Sequence, residues 1–481
     1  MGGKTVSFTS ETFIFVFLPL SVIIYLLVNC FKSMRLKNVV LLVLSGVFYA
    51  WTDIKTLALF ACLTVLTFMT GKLADYSKRD GRREAGKWLA AACVIGVGYL
   101  AASRYLPFVA GEFFRLAELD ITLESVVVPL GFSFFVFESI SYVADVYRGE
   151  AGPGRFDEAA LFLAFFPKLL SGPVVRWRDF AADACSRKTD SADVAEGISR
   201  IITGLAKKVI VADTLGAQLQ VITVDMAGSV YDCQTYWLKA LLYFFRIYCD
   251  FSGYSDIAIG LSRIFGFRFA ENFNFPYLST SVSDFWRRWH ISLGAWFREY
   301  VYIPLGGNRK GNVYFNLFIV FLLTGIWHGA NWTFLLWGVY NALFVLLERF
   351  LQGRKVYEAV PKPVKWLITV VIVFFGWVLF SVESLPQAFA DIKGMFTFRT
   401  PENLTTTWKY YLTVKSVAAL GIAAAGSLIG AIPEKARDYV KKALGTVPGT
   451  AVQRVIYLLI FIADIVFIVC STYSPFIYFQ F

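Results

Sequence analysis

The sequence has 481 residues, of which 57% are hydrophobic and only 17% charged. Soluble domains are about 45–50% apolar and about 25% charged, and disordered chains are poorer still in apolar residues, so the composition excludes both classes. The formal net charge of +11 comes from Lys and Arg in short loops between apolar runs, which is the positive-inside pattern of membrane proteins and not a nucleic-acid-binding stripe.

Apolar runs dominate the chain, and a membrane-spanning helix needs about 20 such residues. Runs of this kind begin near residues 12, 38, 55, 88, 125, 196, 234, 313, 332, 364, 410 and 453. The sequence therefore predicts an all-α polytopic membrane protein with about 10–12 transmembrane helices. It contains no internal repeat and no soluble segment long enough to hold its own core, so we expect a single membrane domain over residues 1–481, with its motifs between about 125 and 350.

Two stretches, residues 162–180 and 271–311, mix apolar side chains with Pro, Gly, Lys and Arg. They are too polar to face lipid and too apolar for solvated loops. Irregular backbone at membrane depth persists only against protein or around a watery cavity. We therefore expect re-entrant or interfacial segments on the cytoplasmic side. An amphipathic helix on the membrane surface is the alternative for each.

The sequence contains two histidines, His290 and His328. A neutral imidazole is well suited to proton transfer near pH 7, and a buried ionisable group in a membrane protein indicates function because its burial is costly. A packing role is the alternative. Gly325 and Gly329 leave room near His328 for a ligand or another backbone, and Asn331 would share a helical face with His328 if that helix continues.

The segment Asp284-Phe-Trp-Arg-Arg-Trp-His290 surrounds the other histidine with charge and indole rings. It predicts a polar cytoplasmic setting that binds an anionic donor or orients a thioester. Anchoring at the membrane surface is the alternative role of its arginines. The candidate substrate-binding residues are Asp284, Trp286, Arg287, Arg288, Trp327 and Asn331.

Other chemistries fit the sequence poorly. It has no dinucleotide-binding or P-loop motif and no GxSxG, and its seven scattered cysteines contain no CxxC pair, so neither a metal site nor a bound cofactor is predicted. An ion-coupled secondary transporter remains a rival hypothesis, since four carboxylates lie in or near apolar runs and could relay protons. They are Glu138, Asp145, Asp250 and Asp256.

Several motifs resemble those of bacterial membrane-bound O-acyltransferases (the MBOAT superfamily), closest to the alginate O-acetyltransferase branch, with the D-alanine transferases of teichoic acid next. They are YCDFSGYSDIAIG at 248–260, DFWRRWH at 284–290, YIPLGGN at 302–308 and GIWHG at 325–329, supported by VPLGFSFF at 128–135, YVADVYRG at 142–149 and PKLLSGP at 167–173. The resemblance implies a ring of helices with re-entrant segments around a central funnel.

The same resemblance implies the chemistry. It identifies His328 with the family's near-invariant histidine, which would take the proton of an attacking hydroxyl. His290 is identified with the second histidine, which would hold the donor or stabilise oxyanion charge. The donor would be acetyl-CoA or another cytoplasmic acyl thioester, and no metal is needed.

The last residues, 474–481, read SPFIYFQF. They are compatible with an aromatic interfacial anchor. They also resemble a tail in cell-envelope relatives whose tyrosine, here Tyr478, is proposed to carry the acyl group. The sequence shows no extracytoplasmic domain for a polysaccharide, so the resemblance implies an SGNH-hydrolase-like partner outside the bacterial cytoplasmic membrane.

The resulting hypothesis is transfer of an acyl group, acetyl first, for O-acylation of a cell-surface polymer. D-alanyl transfer from a carrier-protein thioester to teichoic acid is the alternative within the same class, and a non-catalytic scaffold is a further alternative.

Overall fold

The computed structural model describes residues 7–81, 84–119, 121, 128–170, 172–226, 231–398 and 406–470. Within these ranges all regular structure is helical, and the β-type pairing is limited to one isolated antiparallel bridge between Phe273 and Trp289. The prediction of an all-α protein is confirmed.

The chain forms two compact units. The amino-terminal unit comprises Met1–Ile201, Ile257–Ala270 and Arg298–Tyr300, and the carboxy-terminal unit comprises Ile202–Asp256, Glu271–Phe297 and Val301–Phe481. The helix Cys233–Ile264 begins in the carboxy-terminal unit and ends in the amino-terminal unit. The single membrane domain over residues 1–481 stays a prediction.

The helices that begin in the amino-terminal unit are Leu18–Asn29 (α1), Met34–Asp53 (α2), Leu57–Arg79 (α3), Ala85–Leu100 (α4), Leu106–Leu116 (α5), Phe132–Arg148 (α6), Phe156–Ala164 (α7), Phe166–Leu169 (α8), Trp177–Ser186 (α9) and Ser191–Leu205 (α10). Short π-helical turns precede α1 at Phe13–Phe17 and join α4 to α5 at Ala101–Tyr105.

The helices that begin in the carboxy-terminal unit are Asp213–Asp225 (α11), Cys233–Ile264 (α12), Val282–Arg288 (α13), Ile291–Phe297 (α14), Val313–His328 (α15), Trp332–Leu351 (α16), Lys355–Glu358 (α17), Lys362–Phe380 (α18), Leu385–Met395 (α19), Val414–Leu428 (α20), Glu434–Leu444 (α21) and Val447–Cys470 (α22). A π-helical turn at Ala206–Ala212 leads into α11.

Among the described residues, seven helical segments are long and apolar enough to cross a membrane, and two shorter apolar segments accompany them. The seven are Met34–Asp53, Leu57–Arg79, Ala85–Leu116, Trp332–Leu351, Lys362–Phe380, Val414–Ala431 and Val447–Cys470; the shorter two are Phe13–Asn29 and Val313–His328. All nine coincide with apolar runs of the sequence. The chain is therefore a multi-pass membrane protein.

The other three predicted runs fall on α6, α10 and α12. Helix α6 is buried along most of its length, and α12 is 32 residues long with charged residues such as Asp250 and Asp256 along it. Most residues of α6 and α12 are buried against the rest of the protein, which is compatible with their polar side chains. The full number of 10–12 spans stays a prediction.

Residues 162–180 are broken into short helices, as their mixed composition indicates. Helix α7 ends at Ala164, the four-residue α8 follows, and α9 begins at Trp177. The stretch is nevertheless buried: Lys168 has no exposed side-chain area and pairs with Glu138 of α6. A buried charge needs such a partner. The alternative of one amphipathic surface helix is therefore wrong for this stretch.

Helices α15 and α16 approach each other closely because glycines face each other where they cross. A Cβ atom on Gly325 would lie 2.5 Å from the carbonyl oxygen of Phe334, and one on Gly338 would lie 2.7 Å from that of Phe321. Small residues allow such backbone contact between helices in membranes. This crossing lies one turn before His328, so it fixes the position of the end of α15.

We predict that Gly325→Ala destabilises the protein by about 1–3 kcal/mol, the usual cost of overpacking, because the added methyl group meets backbone atoms. The measurement is the apparent Tm of the detergent-solubilised protein, followed by tryptophan fluorescence. Gly421→Ala in α20 is the control, since its Cβ meets nothing within 4 Å. Equal Tm values for the two variants would contradict the close crossing.

Candidate active site

His328 is the last residue of α15 and is only 6% exposed. Its ring is surrounded by aromatic rings at centroid distances of 4.8 Å (Trp327), 5.0 Å (Phe380), 5.1 Å (Trp337) and 6.2 Å (Phe334). Such an apolar environment disfavours the charged imidazolium. The neutral imidazole is the form of His328 that can accept a proton.

His290 lies between α13 and α14, outside the spanning helices, and is 3% exposed. Its ring packs edge-on against Phe251 of α12 at 4.6 Å and lies 6.4 Å from the ring of Trp327. Burial lowers the pKa of His290 well below its usual value, and the proximity of His328 lowers it further. Trp327 thus lies beside both histidines, and the structure brings the two together in the carboxy-terminal unit.

The structure separates His290 from the exposed Arg287 that precedes it in the sequence. Helix α13 ends at Arg288, and the backbone of His290 has a φ of +48°, a left-handed conformation that costs a non-glycine residue roughly 1–2 kcal/mol. Arg287 remains 71% exposed, whereas His290 is buried against Phe251. The sequence places these residues side by side, but the end of the helix separates their environments.

A short antiparallel pairing holds the backbone around His290. The amide of Asn274 donates to the carbonyl of Arg288 at 3.0 Å, and the amide of Ile291 donates to the carbonyl of Asn272 at 2.9 Å. The Asn272 side chain contacts the imidazole as well, with Oδ1 at 3.2 Å from Nδ1 of His290. Sequence reasoning missed Asn272, which no periodic pattern marks.

Helix α13 is fixed at its start by two hydrogen bonds. Ser281 caps it by accepting from the amide of Asp284 at 3.0 Å, and Glu348 of α16 accepts from the amide of Ser283 at 2.9 Å. Asp284 in turn pairs with Arg288 at 2.9 Å. Asp284 therefore orients Arg288.

Trp286 is one ring removed from His328. Its indole lies 5.4 Å from Trp337 and 5.7 Å from Phe321, and Trp337 contacts His328 directly. The indole nitrogen of Trp286 is buried and has no hydrogen-bond partner among the described residues. Of the predicted substrate-binding residues, Trp286 and Trp327 thus belong to the aromatic surroundings of the histidines.

The expectation that Asn331 shares a helical face with His328 is wrong. Helix α15 stops at His328, and Asn331 caps the next helix by accepting from the amide of Thr333 at 3.0 Å. Its amide nitrogen donates to the carbonyl of Glu383 at 2.6 Å. The glycine after His328 ends the helix, so Asn331 positions α16 instead.

The four carboxylates of the transporter hypothesis all have partners. In the amino-terminal unit, Glu138 pairs with Lys168, and Asp145 accepts from the hydroxyl of Tyr300 at 2.6 Å. In the carboxy-terminal unit, Asp250 pairs with Lys208 at 2.7 Å and Asp256 with Lys207 at 2.6 Å. These pairs account for the buried charges as structural elements.

Within the part of the chain that the structure describes, no group of three or more His, Cys, Asp and Glu residues could hold a metal ion. Tyr478 lies outside the described residues. The candidate site is thus a pair of buried imidazoles in aromatic surroundings, within a membrane protein whose described regular structure is helical.

Comparisons with known proteins identify the family of this membrane protein. The model of the MBOAT, membrane-bound O-acyltransferase, family matches residues 5–385. A probable alginate O-acetylase of Pseudomonas putida is 39% identical, with the alignment covering 98% of this chain and 100% of the relative. A peptidoglycan O-acetyltransferase of Helicobacter pylori is 32% identical over 81% of this chain and 79% of the relative.

A teichoic acid D-alanyltransferase of Bacillus subtilis is 30% identical, over 52% of this chain and 68% of the relative. The chain belongs to the membrane-bound O-acyltransferase family, as its motifs predicted. It is therefore an enzyme, an O-acyltransferase, and it uses an acyl donor.

We predict that Lys208→Met destabilises the fold by about 3–5 kcal/mol, the cost of leaving a buried charge without its partner, because Asp250 and Asp213 both pair with Lys208. The double variant Lys208→Met/Asp250→Asn should recover part of the loss. Folded yield and apparent Tm are the measurements, with Lys393→Met on an exposed position of α19 as the control.

A proton-relay role makes the opposite prediction for Lys208→Met. It requires a variant that folds and melts like the parent protein but has lost activity. That outcome would contradict the structural assignment of this ion pair.

Proposed function

We propose that the protein moves an acetyl group from a cytoplasmic thioester, acetyl-CoA first, across the membrane for O-acetylation of a cell-surface polysaccharide or another envelope polymer, with His328 as the general base. The observation that carries the proposal is the burial of the His328 imidazole among aromatic rings, next to Trp327, whose ring also lies near His290. A general base near neutral pH must be unprotonated and shielded from water.

The acetyl group and the polymer are inferred from the relatives. The alginate O-acetylase covers almost all of this chain, whereas the D-alanyltransferase covers about half of it. This difference favours acetyl over D-alanyl transfer. The names of these bacterial relatives refer to alginate and to teichoic acid, which supports a place in the bacterial cytoplasmic membrane. A partner on the outer side of that membrane is proposed, of the SGNH-hydrolase-like acyltransferase class.

The reaction at His328 is written for an acceptor hydroxyl. The oxygen attacks the carbonyl carbon of the thioester while His328 takes the hydroxyl proton. The tetrahedral intermediate then collapses as the carbon–sulfur bond breaks, and the proton passes from His328 to the leaving thiolate. The products are an O-acetyl ester and free coenzyme A, and His328 is neutral again.

Tyr478 is the proposed first acceptor. Its phenol oxygen would attack the thioester, lose its proton to His328 and become an acetyl aryl ester. An aryl ester is a good acyl donor because phenoxide is a good leaving group, so the group could pass on to a partner enzyme. Both histidines are buried near Trp327. Such a site is compatible with an acceptor tyrosine that belongs to the same chain.

We predict that purified protein incubated with isotope-labelled acetyl-CoA gains one acetyl group on its carboxy-terminal peptide. The expected result is label on Tyr478 in the parent protein, and label lost from both His328→Ala and Tyr478→Phe. Intact mass and peptide fragmentation measure it. Tyr478→Phe is the matched control, since it keeps the ring and removes only the nucleophile.

Label of equal amount in the parent protein and in His328→Ala would indicate chemical acetylation and overturn His328 as the base. A requirement for a carrier-protein thioester in place of acetyl-CoA would replace acetyl by D-alanyl transfer. Label on the polymer without label on Tyr478 would leave O-acetylation in place and remove the tyrosine step.

A further inference from the structure

Asn272 is completely buried and opens the irregular segment that carries His290. Its backbone carbonyl accepts from the amide of Ile291 at 2.9 Å. Its side chain contacts the imidazole of His290, the backbone amide and hydroxyl of Ser292, and the hydroxyl of Ser255. Hydrogen bonds therefore fix both the backbone and the side chain of Asn272.

The orientation of the Asn272 amide follows from its neighbours. The backbone N–H of Ser292 lies 3.2 Å from Oδ1, and a backbone N–H can only donate. The hydroxyl of Ser292 lies 2.8 Å from the same atom, and Nδ2 donates to the hydroxyl of Ser255 at 3.0 Å. The atom facing His290 is therefore the amide oxygen, an assignment that amide flips leave open elsewhere.

An amide oxygen only accepts hydrogen bonds, so the ring nitrogen opposite it must carry a proton. That nitrogen is Nδ1 of His290, at 3.2 Å. A neutral imidazole has one N–H and one lone pair, and the hydrogen bond made by one nitrogen sets the state of the other. The lone pair of His290 is therefore on Nε2.

We propose that Asn272 is a positioning residue that fixes His290 as the Nδ1–H tautomer, so that Nε2 accepts a hydrogen bond from the reacting groups. This inference rests on the proposed acetyl transfer for the identity of those groups. The sequence analysis expected His290 to hold the donor or to stabilise oxyanion charge. With Nε2 unprotonated, His290 does not stabilise that charge. An unprotonated Nε2 repels an oxyanion and instead accepts a hydrogen bond from the thiol of the leaving group.

The two histidines then have different roles. His328 removes the hydroxyl proton when the oxygen attacks the thioester and passes it to the leaving thiolate, and Nε2 of His290 accepts a hydrogen bond from the thiol that forms. Asn272 touches no reacting group and acts only through His290. Its removal should lower acetyl transfer by about 10–100-fold, the usual effect of losing the partner that orients a functional histidine.

The experiment uses the fact that the chain has only two histidines. Protein labelled with ¹⁵N-histidine is placed in lipid vesicles, and nitrogen NMR distinguishes protonated from bare ring nitrogens. In His328→Gln the remaining signals belong to His290. We expect a protonated Nδ1 and a bare Nε2.

Three variants then test the role of Asn272. Asn272→Ala should lose the preference for the Nδ1–H tautomer. Asn272→Asp should keep Nδ1 protonated and make His290 titrate at higher pH, because a carboxylate favours the imidazolium. Asn316→Ala should leave the spectrum of His290 unchanged, since this equally buried amide donates to the carbonyl of Gly307.

A protonated Nε2 in the parent protein, as the Nε2–H tautomer or as imidazolium, would overturn the inference. So would an unchanged tautomer in Asn272→Ala. These readouts do not depend on activity. Failure of acetyl labelling with the expected NMR spectrum would therefore count against the proposed function alone, and the reverse result would count against the role of Asn272 alone.

Discussion

A polar group inside a membrane protein has no water to pair with, so the protein itself must supply its partner. This constraint explains most of the buried polar contacts. Lys208 lies between Asp213 and Asp250 in the carboxy-terminal unit, and Lys168 pairs with Glu138 in the amino-terminal unit. Each pair neutralises charge where it is costly and leaves the packing of its unit intact.

The same constraint distinguishes the histidines from the other ionisable residues. Four aromatic residues lie around His328: Trp327, Trp337, Phe334 and Phe380. Such apolar surroundings disfavour the charged imidazolium. Aromatic rings enclose His328, and the close glycine contact between α15 and α16 positions the end of α15 that carries it.

Much of the fold could be predicted from hydropathy because lipid-facing helices need long apolar runs. Nine of these runs coincide with helices such as Met34–Asp53 and Trp332–Leu351. The irregular stretch at 162–180 was also predictable, since proline, glycine and charge within an apolar run fit no single helix. The division into two units was not, because helix-to-helix packing leaves no local pattern.

The site was predictable where one residue type is rare. The apolar chain has only two histidines, which makes them the natural candidates for proton transfer. The motif resemblance predicted the family of the protein. The failures came from helix ends: Asn331 lies beyond the end of α15, and His290 lies beyond the end of α13. Asn272 was missed because its contact with His290 depends on a turn of the chain that sequence spacing does not encode.

The most direct test of the site is a cryo-electron microscopy structure of the protein in lipid with a non-hydrolysable thioether analogue of acetyl-CoA. We predict that the acyl end of the analogue lies beside Trp327, with room for an acceptor oxygen about 3–3.5 Å from the acyl carbon and within hydrogen-bonding distance of His328. An acyl end bound away from both histidines, with the aromatic rings still closed around His328, would contradict their catalytic role.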